Sequence, residues 1–425
     1  MFDRVAGGFL GAGLPLLVSS EVTASVVVAI GLILILLAPG RASLLAALAL
    51  MLKSPGGLAC LAVLVCWIPG LVLSIQPFRS LSAFGTTAGL MLGAGLIHVF
   101  LARSAEARAL CLKALVIGGL ACGVLALIAA NGGSVIYAPF RGRAFEPFQA
   151  EIFIKYYASA VACLAPVVLL AGLRLGGAWR SAALIYPAMA LAIILSLRSG
   201  AGLLGLVAGA VVFALIAAGL MPRLRRPSFG LLVLVIAVFL AGLGWLFAHA
   251  PAPPPLEAMA GGVYHGPIET PLPLALVDAH RQQIWGFSLA QIGNAPWFGH
   301  GLDVSNFLPG AHTKIAAFSQ EFVPSHPHSW IIELLVDSGF IGLAGVIGAF
   351  VVLAARWLGI ARVDTLRAAA GLGLLAAYAA SSLLNFSLWS AWWQTEFLVL
   401  CAIMLALPSA PEAGRAQRRI EAGPS

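Results

Sequence analysis

Charge is what this chain has least of. Asp, Glu, Lys and Arg make up 9% of its 425 residues, where a soluble domain carries about 25%. At 61% hydrophobic, with a mean hydropathy of +1.01, it cannot clothe a water-facing globule. It reads as an all-α polytopic membrane protein. Cysteine is scarce too. Cys60, Cys66, Cys111, Cys122, Cys163 and Cys401 all lie in or beside apolar runs, so no disulfide framework is expected. No cleavable leader is evident after the short polar start Met1–Arg4. Histidine is almost missing from the apolar halves: seven of the eight fall between His249 and His328. That stretch lacks the H-x3-H, H-E-x-x-H and C-x-x-C spacings of metal sites, and the chain has no D-x-D. No metal ion or other cofactor is therefore expected.

What is present is a series of apolar runs of about 20 residues, the length a helix needs to cross the hydrocarbon layer. They fall near 5–20, 22–38, 57–74, 82–102, 110–130, 151–173, 181–197, 201–220, 228–248, 329–355, 368–388 and 392–408. The run 42–52 is too short to cross and reads as an interfacial or re-entrant piece. About twelve crossings with both termini cytoplasmic put most Lys and Arg inside, as the positive-inside rule requires. Transmembrane helices 1–9 then occupy 1–248, a periplasmic loop with helical segments 249–328, helices 10–12 329–408, and a cytoplasmic tail 409–425. The net charge of +8 belongs to that inner face and calls for no nucleic-acid partner.

Arg79, Arg141, Arg143, Lys155, Arg198, Arg281 and Lys314 fall on the outer side instead. For Arg79 and Lys314, solvated loop charges are explanation enough. Arg141 and Arg143 form a close pair after Tyr137-Ala138-Pro139-Phe140, and Lys155 follows one turn into the next helix. Arg198 lies between two spans with almost no loop, where a buried guanidinium needs an anionic partner. The bland alternative is snorkelling to headgroups.

The polar loop opens with Pro251-Ala252-Pro253-Pro254-Pro255, an extended spacer. Leu274–Ile292 predicts a helix with Arg281 and Trp285 on one face. That pair would serve a substrate or, more plainly, hold the loop by cation–π contact. Asn294–Gly301 makes a tight turn. The loop ends in His326-Pro327-His328-Ser329. His328 falls at the amino end of the next helix, where open amides and the dipole favour anions; a simple cap or solvated group is the alternative. Glu333 either hydrogen-bonds this region or pairs within the bundle. Trp389, Trp392 and Trp393 read as an interfacial aromatic belt, with sugar stacking as the alternative.

His328-Ser329, nine residues, Gly339, two residues and Gly342 spell H-S-x9-G-x-x-G. Arg281-x3-Trp285 and Pro296-x2-Gly299-x-Gly301 precede it. With Arg198 at the outer end of a mid-chain helix, this pattern resembles that of bacterial O-antigen ligases. Their wider family includes O-antigen polymerases and protein O-oligosaccharyltransferases. The resemblance covers the architecture of most of the chain, though its motifs fill a small part. It implies a metal-independent, inverting glycosyltransferase on the periplasmic side of the bacterial inner membrane. The donor would be an undecaprenyl-diphosphate-linked glycan and the acceptor a sugar hydroxyl of lipid A–core oligosaccharide, both met among membrane lipids.

The residue types suit that chemistry. A departing diphosphate gathers negative charge, which arginine binds bidentately and fixed positive charge stabilises. The attacking hydroxyl needs a proton acceptor that titrates near neutrality, as histidine does. His328 is therefore the expected base or hydroxyl-positioning group, with Arg281 and Arg198 on the diphosphate. Arg141, Arg143, Lys155, His326 and Trp285 are expected to bind the substrates. An O-antigen polymerase would use the same donor with a second undecaprenyl-linked acceptor. A protein O-oligosaccharyltransferase would share the donor too, though the short stretch after Pro408 disfavours it. A transporter or flippase would instead show broken helices and charges near the bilayer midplane, whereas these charges gather at the outer edge.

Overall fold

A computed structural model describes residues 2–38, 40–133, 154–219, 241–242, 244–274 and 277–408. Among them, seven helices are long and apolar enough to cross a membrane. These are α4 (Pro55–Val72), α5 (Pro77–Arg103), α6 (Ala105–Ala130), α7 (Lys155–Leu175), α8 (Gly177–Ser196), α9 (Gly200–Ala217) and α12 (Trp330–Ile360). The bent pair α2 (Glu21–Leu37) and α3 (Arg41–Leu52) makes eight if it counts as one span. This is the architecture of a polytopic membrane protein, and among the described residues fewer helices reach crossing length than the apolar runs there predict.

The difference has local causes. The first run, 5–20, is a 12-residue helix α1 (Phe2–Gly13) followed by a tight turn at Pro15–Val18. Such a helix rises only about 18 Å, short of the ~30 Å hydrocarbon layer. The run 368–388 ends early, as α13 (Thr365–Ser382). Beyond it Asn385 and Ser387 are buried in a turn, and α14 (Ala391–Leu405) is 15 residues long. Most of the span predicted at 228–248 and all of the tail 409–425 lie outside the described residues. Helix starts are written in the sequence: Ser20, Ser54, Ser104 and Ser199 each accept an amide hydrogen bond three residues on.

α12 corrects the continuous helix expected at 329–355. Gly339 inside it has φ 65° and ψ −170°, which divides it into a half-helix, 330–338, and a longer helix, 340–360. A broken helix strands carbonyls and amides, and lipid cannot satisfy them. The turn Pro296–Gly301 does. The amides of His300 and Gly301 donate to the carbonyls of Val336 and Asp337 at 2.9 and 3.0 Å. The amides of Phe340 and Ile341 donate to Pro296 and Trp297 at 2.8 and 3.2 Å. The two glycine motifs read separately in the sequence are therefore the two halves of one joint. At both Gly299 and Gly339 φ is positive, and an added Cβ would lie 2.3–2.5 Å from the partner's backbone.

The polar loop folds on itself. It holds α10 (Leu256–Met259), α11 (Ala279–Ile292) and a three-stranded sheet of β1 (Val263–Tyr264), β2 (Lys314–Ile315) and β3 (Gln320–Glu321). β1 pairs with β2 in parallel and β2 with β3 antiparallel. α11 begins at Ala279, later than the predicted Leu274, because the Asp278 carboxylate caps it by accepting the Arg281 amide at 2.9 Å. Leu272, Ile284, Phe287, Ile315 and Phe322 give this region a buried core.

Candidate functional site

α11 and the segment before the half-helix bring together Arg281, Trp285, His326 and His328. Trp285, buried, donates its indole N–H to the Pro327 carbonyl at 3.0 Å. The loop helix thus grips the residue between the two histidines, and Trp285 serves that bond rather than a cation–π pair. Arg281 lies beside Asp278 instead, Nε to Oδ2 3.4 Å. The His328 amide donates to Nδ1 of His326 at 3.1 Å, and the ring centres are 4.2 Å apart. His328 has φ 56°, a left-handed conformation that costs a non-glycine residue about 1–3 kcal/mol.

These bonds assign the tautomers. Nδ1 of His328 lies 3.2 Å from the Asn385 carbonyl oxygen. A carbonyl only accepts, so Nδ1 carries the proton and Nε2 keeps its lone pair. Nδ1 of His326 accepts an amide, so in the neutral ring the proton sits on Nε2. Two adjacent imidazoles offer, respectively, a proton acceptor and a proton donor.

Burial, then the nearby Arg281 cation, pushes His328 down to about 4. The Asn385 carbonyl and the Asp278 carboxylate oppose this, while His280 adds to it. His326 is held well below the usual histidine range by burial, by His328 and by Arg281. Both rings are therefore neutral at pH 7. If neutral His328 is the working base, activity is present above its pKa and lost as pH falls through it. The acid limb of kcat/KM should lie near pH 4. Arg281→Gln removes a cation that lowers this pKa, so its residual activity should show a limb at higher pH. A limb at the same pH in both proteins would remove Arg281 from the electrostatics of His328.

Other expected residues are placed less directly. Arg198 corrects the expectation of a buried guanidinium: it is exposed, at φ 47°, in the turn between α8 and α9. Gly202, one turn into α9, packs on the Ala158 carbonyl. The next residue, Ser159, accepts a hydrogen bond from Nδ2 of Asn385 at 3.1 Å. Lys155, exposed at the start of α7, is four residues before Ser159 and shares its helix face. Lys155 and Arg198 thus belong to the elements around Asn385. Arg141 and Arg143 lie outside the described residues.

The aromatic belt is also corrected. Trp389, Trp392 and Trp393 are buried, and the indoles of Trp389 and Trp393 donate to Asp337 and Ser382 at 2.7 and 2.8 Å. Three residues the sequence reading did not single out matter here: Asn385, Ser159 and Asp337. The signal for Asn385 was its polarity near the end of the apolar run 368–388. Glu333 joins the same framework, accepting the Leu388 amide at 2.7 Å. Among the described residues, no three His, Cys, Asp or Glu side chains converge as a metal site.

No family model matches this chain. Proteins of Rickettsia typhi, Rickettsia prowazekii and Rickettsia felis, each named "Putative polysaccharide ligase", are 24% identical to it over 136 residues. The match covers 30% of this chain and 32% of each relative, so it spans about a third of those proteins.

Proposed function

We propose that this chain is a polysaccharide ligase of the O-antigen ligase kind. It transfers a glycan from undecaprenyl diphosphate to a sugar hydroxyl of lipid A–core at the periplasmic face of the inner membrane. The observation that carries the reading is the unprotonated Nε2 of His328 in a neutral imidazole, within the field of Arg281. In the proposed step, Nε2 takes the proton of the acceptor hydroxyl as its oxygen attacks the anomeric carbon. The glycosyl–phosphate bond breaks and its electrons leave on the diphosphate. Arg281 and the open amides at the start of the half-helix stabilise that charge, with Arg198 and Lys155 extending the positive surface and Arg141 and Arg143 as further substrate-binding cations. His326, as donor, orients the acceptor, and Trp285 holds the histidine segment. The names of the Rickettsia relatives support a general polysaccharide ligase role.

A transporter is the weaker reading. Its broken helix would leave backbone groups to coordinate cargo, and here the Pro296–Gly301 turn occupies the break.

The test mixes purified protein, undecaprenyl-diphosphate-linked glycan and rough lipopolysaccharide. A glycan ladder on the lipopolysaccharide is expected, unchanged by EDTA because arginines take the role of a cation. A ladder lost with EDTA would overturn metal independence. Lengthening of only the undecaprenyl-linked glycan would make the protein a polymerase.

A further inference from the structure

Away from the histidines, a cavity of about 490 Å³ opens between α5 and the turn before α14. Phe78, Arg79, Ser82 and Thr86, on one face of α5, form one wall, and Asp303 and Trp389 stand opposite. The volume falls within the ~300–1,000 Å³ of ligand pockets.

The chemistry of the walls narrows the occupant. Nη2 of Arg79 meets Oδ2 of Asp303 at 3.0 Å, and its guanidinium lies 4.9 Å from the centre of the Phe307 ring. This arginine is already neutralised, so the cavity is a poor phosphate site. An acyl chain would leave the ion pair and the hydroxyls of Ser82 and Thr86 against hydrocarbon, at a desolvation cost. A neutral polyhydroxylated ligand satisfies both: the carboxylate accepts from its hydroxyls, and the guanidinium and Ser and Thr hydroxyls bond them. Phe78, 90% exposed, offers a flat apolar face for a sugar ring at the rim.

Position ties the cavity to the histidines. Asp337 accepts both the Trp389 indole N–H at 2.7 Å and the Asp303 amide at 3.1 Å. Glu333 holds the Leu388 amide, and Asn385 holds His328. Residues 385–389 therefore run beside the half-helix from His328 to the cavity wall. The nine residues from His328 to Asp337 cover about 13 Å at helical rise, a reach suited to an oligosaccharide.

We propose that this cavity binds the oligosaccharide of the membrane-anchored acceptor and sets acceptor choice, its reacting hydroxyl lying at His328. The proposal rests on the transfer reading. Its walls are α5, Asp303, Trp389 and Ala391, apart from α11, whose Arg281 would hold the donor diphosphate. An inverting displacement needs the acceptor to approach opposite the leaving group.

The test uses the full chain carrying Ser82→Phe, which fills the cavity from an exposed position, or Phe78→Ala, with the exposed, off-cavity Leu81→Ala as control. Ser82→Phe is expected to raise KM for rough lipopolysaccharide about tenfold or more, corresponding to ~1.4 kcal/mol, and Phe78→Ala should raise it less. KM for the undecaprenyl-linked donor should not move, and Leu81→Ala should match wild type. Direct binding of lipid-free core oligosaccharide, released from the same lipopolysaccharide, should weaken in parallel. A rise in donor KM alone, or wild-type acceptor KM and binding in both variants, would overturn the proposal. Ser82-dependent oligosaccharide binding without transfer by wild type would keep the cavity and overturn the transfer reading. Neither binding nor transfer by wild type would overturn both.

Discussion

His328→Ala is expected to lower the rate of glycan transfer by about 10²–10⁴-fold, the usual contribution of a positioned general base. Donor binding should change little, because the diphosphate is assigned to Arg281. The Asn385 carbonyl commits Nδ1 to donating, which leaves Nε2 as an acceptor. Burial and Arg281 keep the ring neutral, so the acceptor is available throughout the physiological range. His328→Gln sharpens the test, since an amide can hydrogen-bond a hydroxyl but cannot take its proton. It should be as slow as His328→Ala while binding donor and acceptor normally. Single-turnover rates, with donor affinity measured separately, would decide the matter. A His328→Gln protein within about tenfold of wild type would reduce His328 to a positioning role; retained transfer by His328→Ala would remove it from the mechanism.

Gly339→Ala is expected to be a severely destabilising small substitution. A Cβ at Gly339 would lie 2.3 Å from the Trp297 carbonyl carbon and 2.5 Å from the Phe298 nitrogen, at φ 65°. Neither side of the joint has room to move, because the same backbone atoms make the hydrogen bonds that close the break. Clash, left-handed strain and lost backbone bonds together place the cost above about 4 kcal/mol, among the exceptional single substitutions. The measurement is folded yield and thermal midpoint in detergent, with Gly348→Ala as control. Gly348 lies in the same helix with nothing within 4 Å of an added Cβ, so its variant should match wild type or gain slightly from helix propensity. A Gly339→Ala protein with a wild-type midpoint would show that the joint is not needed. Such a result would reopen the transporter reading, in which a helix break is free to move.

The amino-acid sequence alone determined the class of the molecule. Apolar runs of membrane-crossing length follow from composition and need no partner to be recognised. The candidate site stood out for the same reason, since polar residues and histidines are conspicuous where everything else is apolar. The spacing of Arg281, Trp285, His326 and His328 was legible too. Tertiary structure decided what local pattern could not carry. Whether Gly339 breaks its helix depends on a turn 40 residues earlier, at Gly299. The tautomer of His328 depends on a carbonyl 57 residues later, at Asn385. The three tryptophans looked like a belt because an aromatic side chain suits the membrane interface and the bundle interior equally. Only the carboxylate of Asp337 and the hydroxyl of Ser382, brought close by packing, settled two of them inside. Hydropathy is a property of each residue and its near neighbours, whereas a hydrogen-bond partner is a property of the fold.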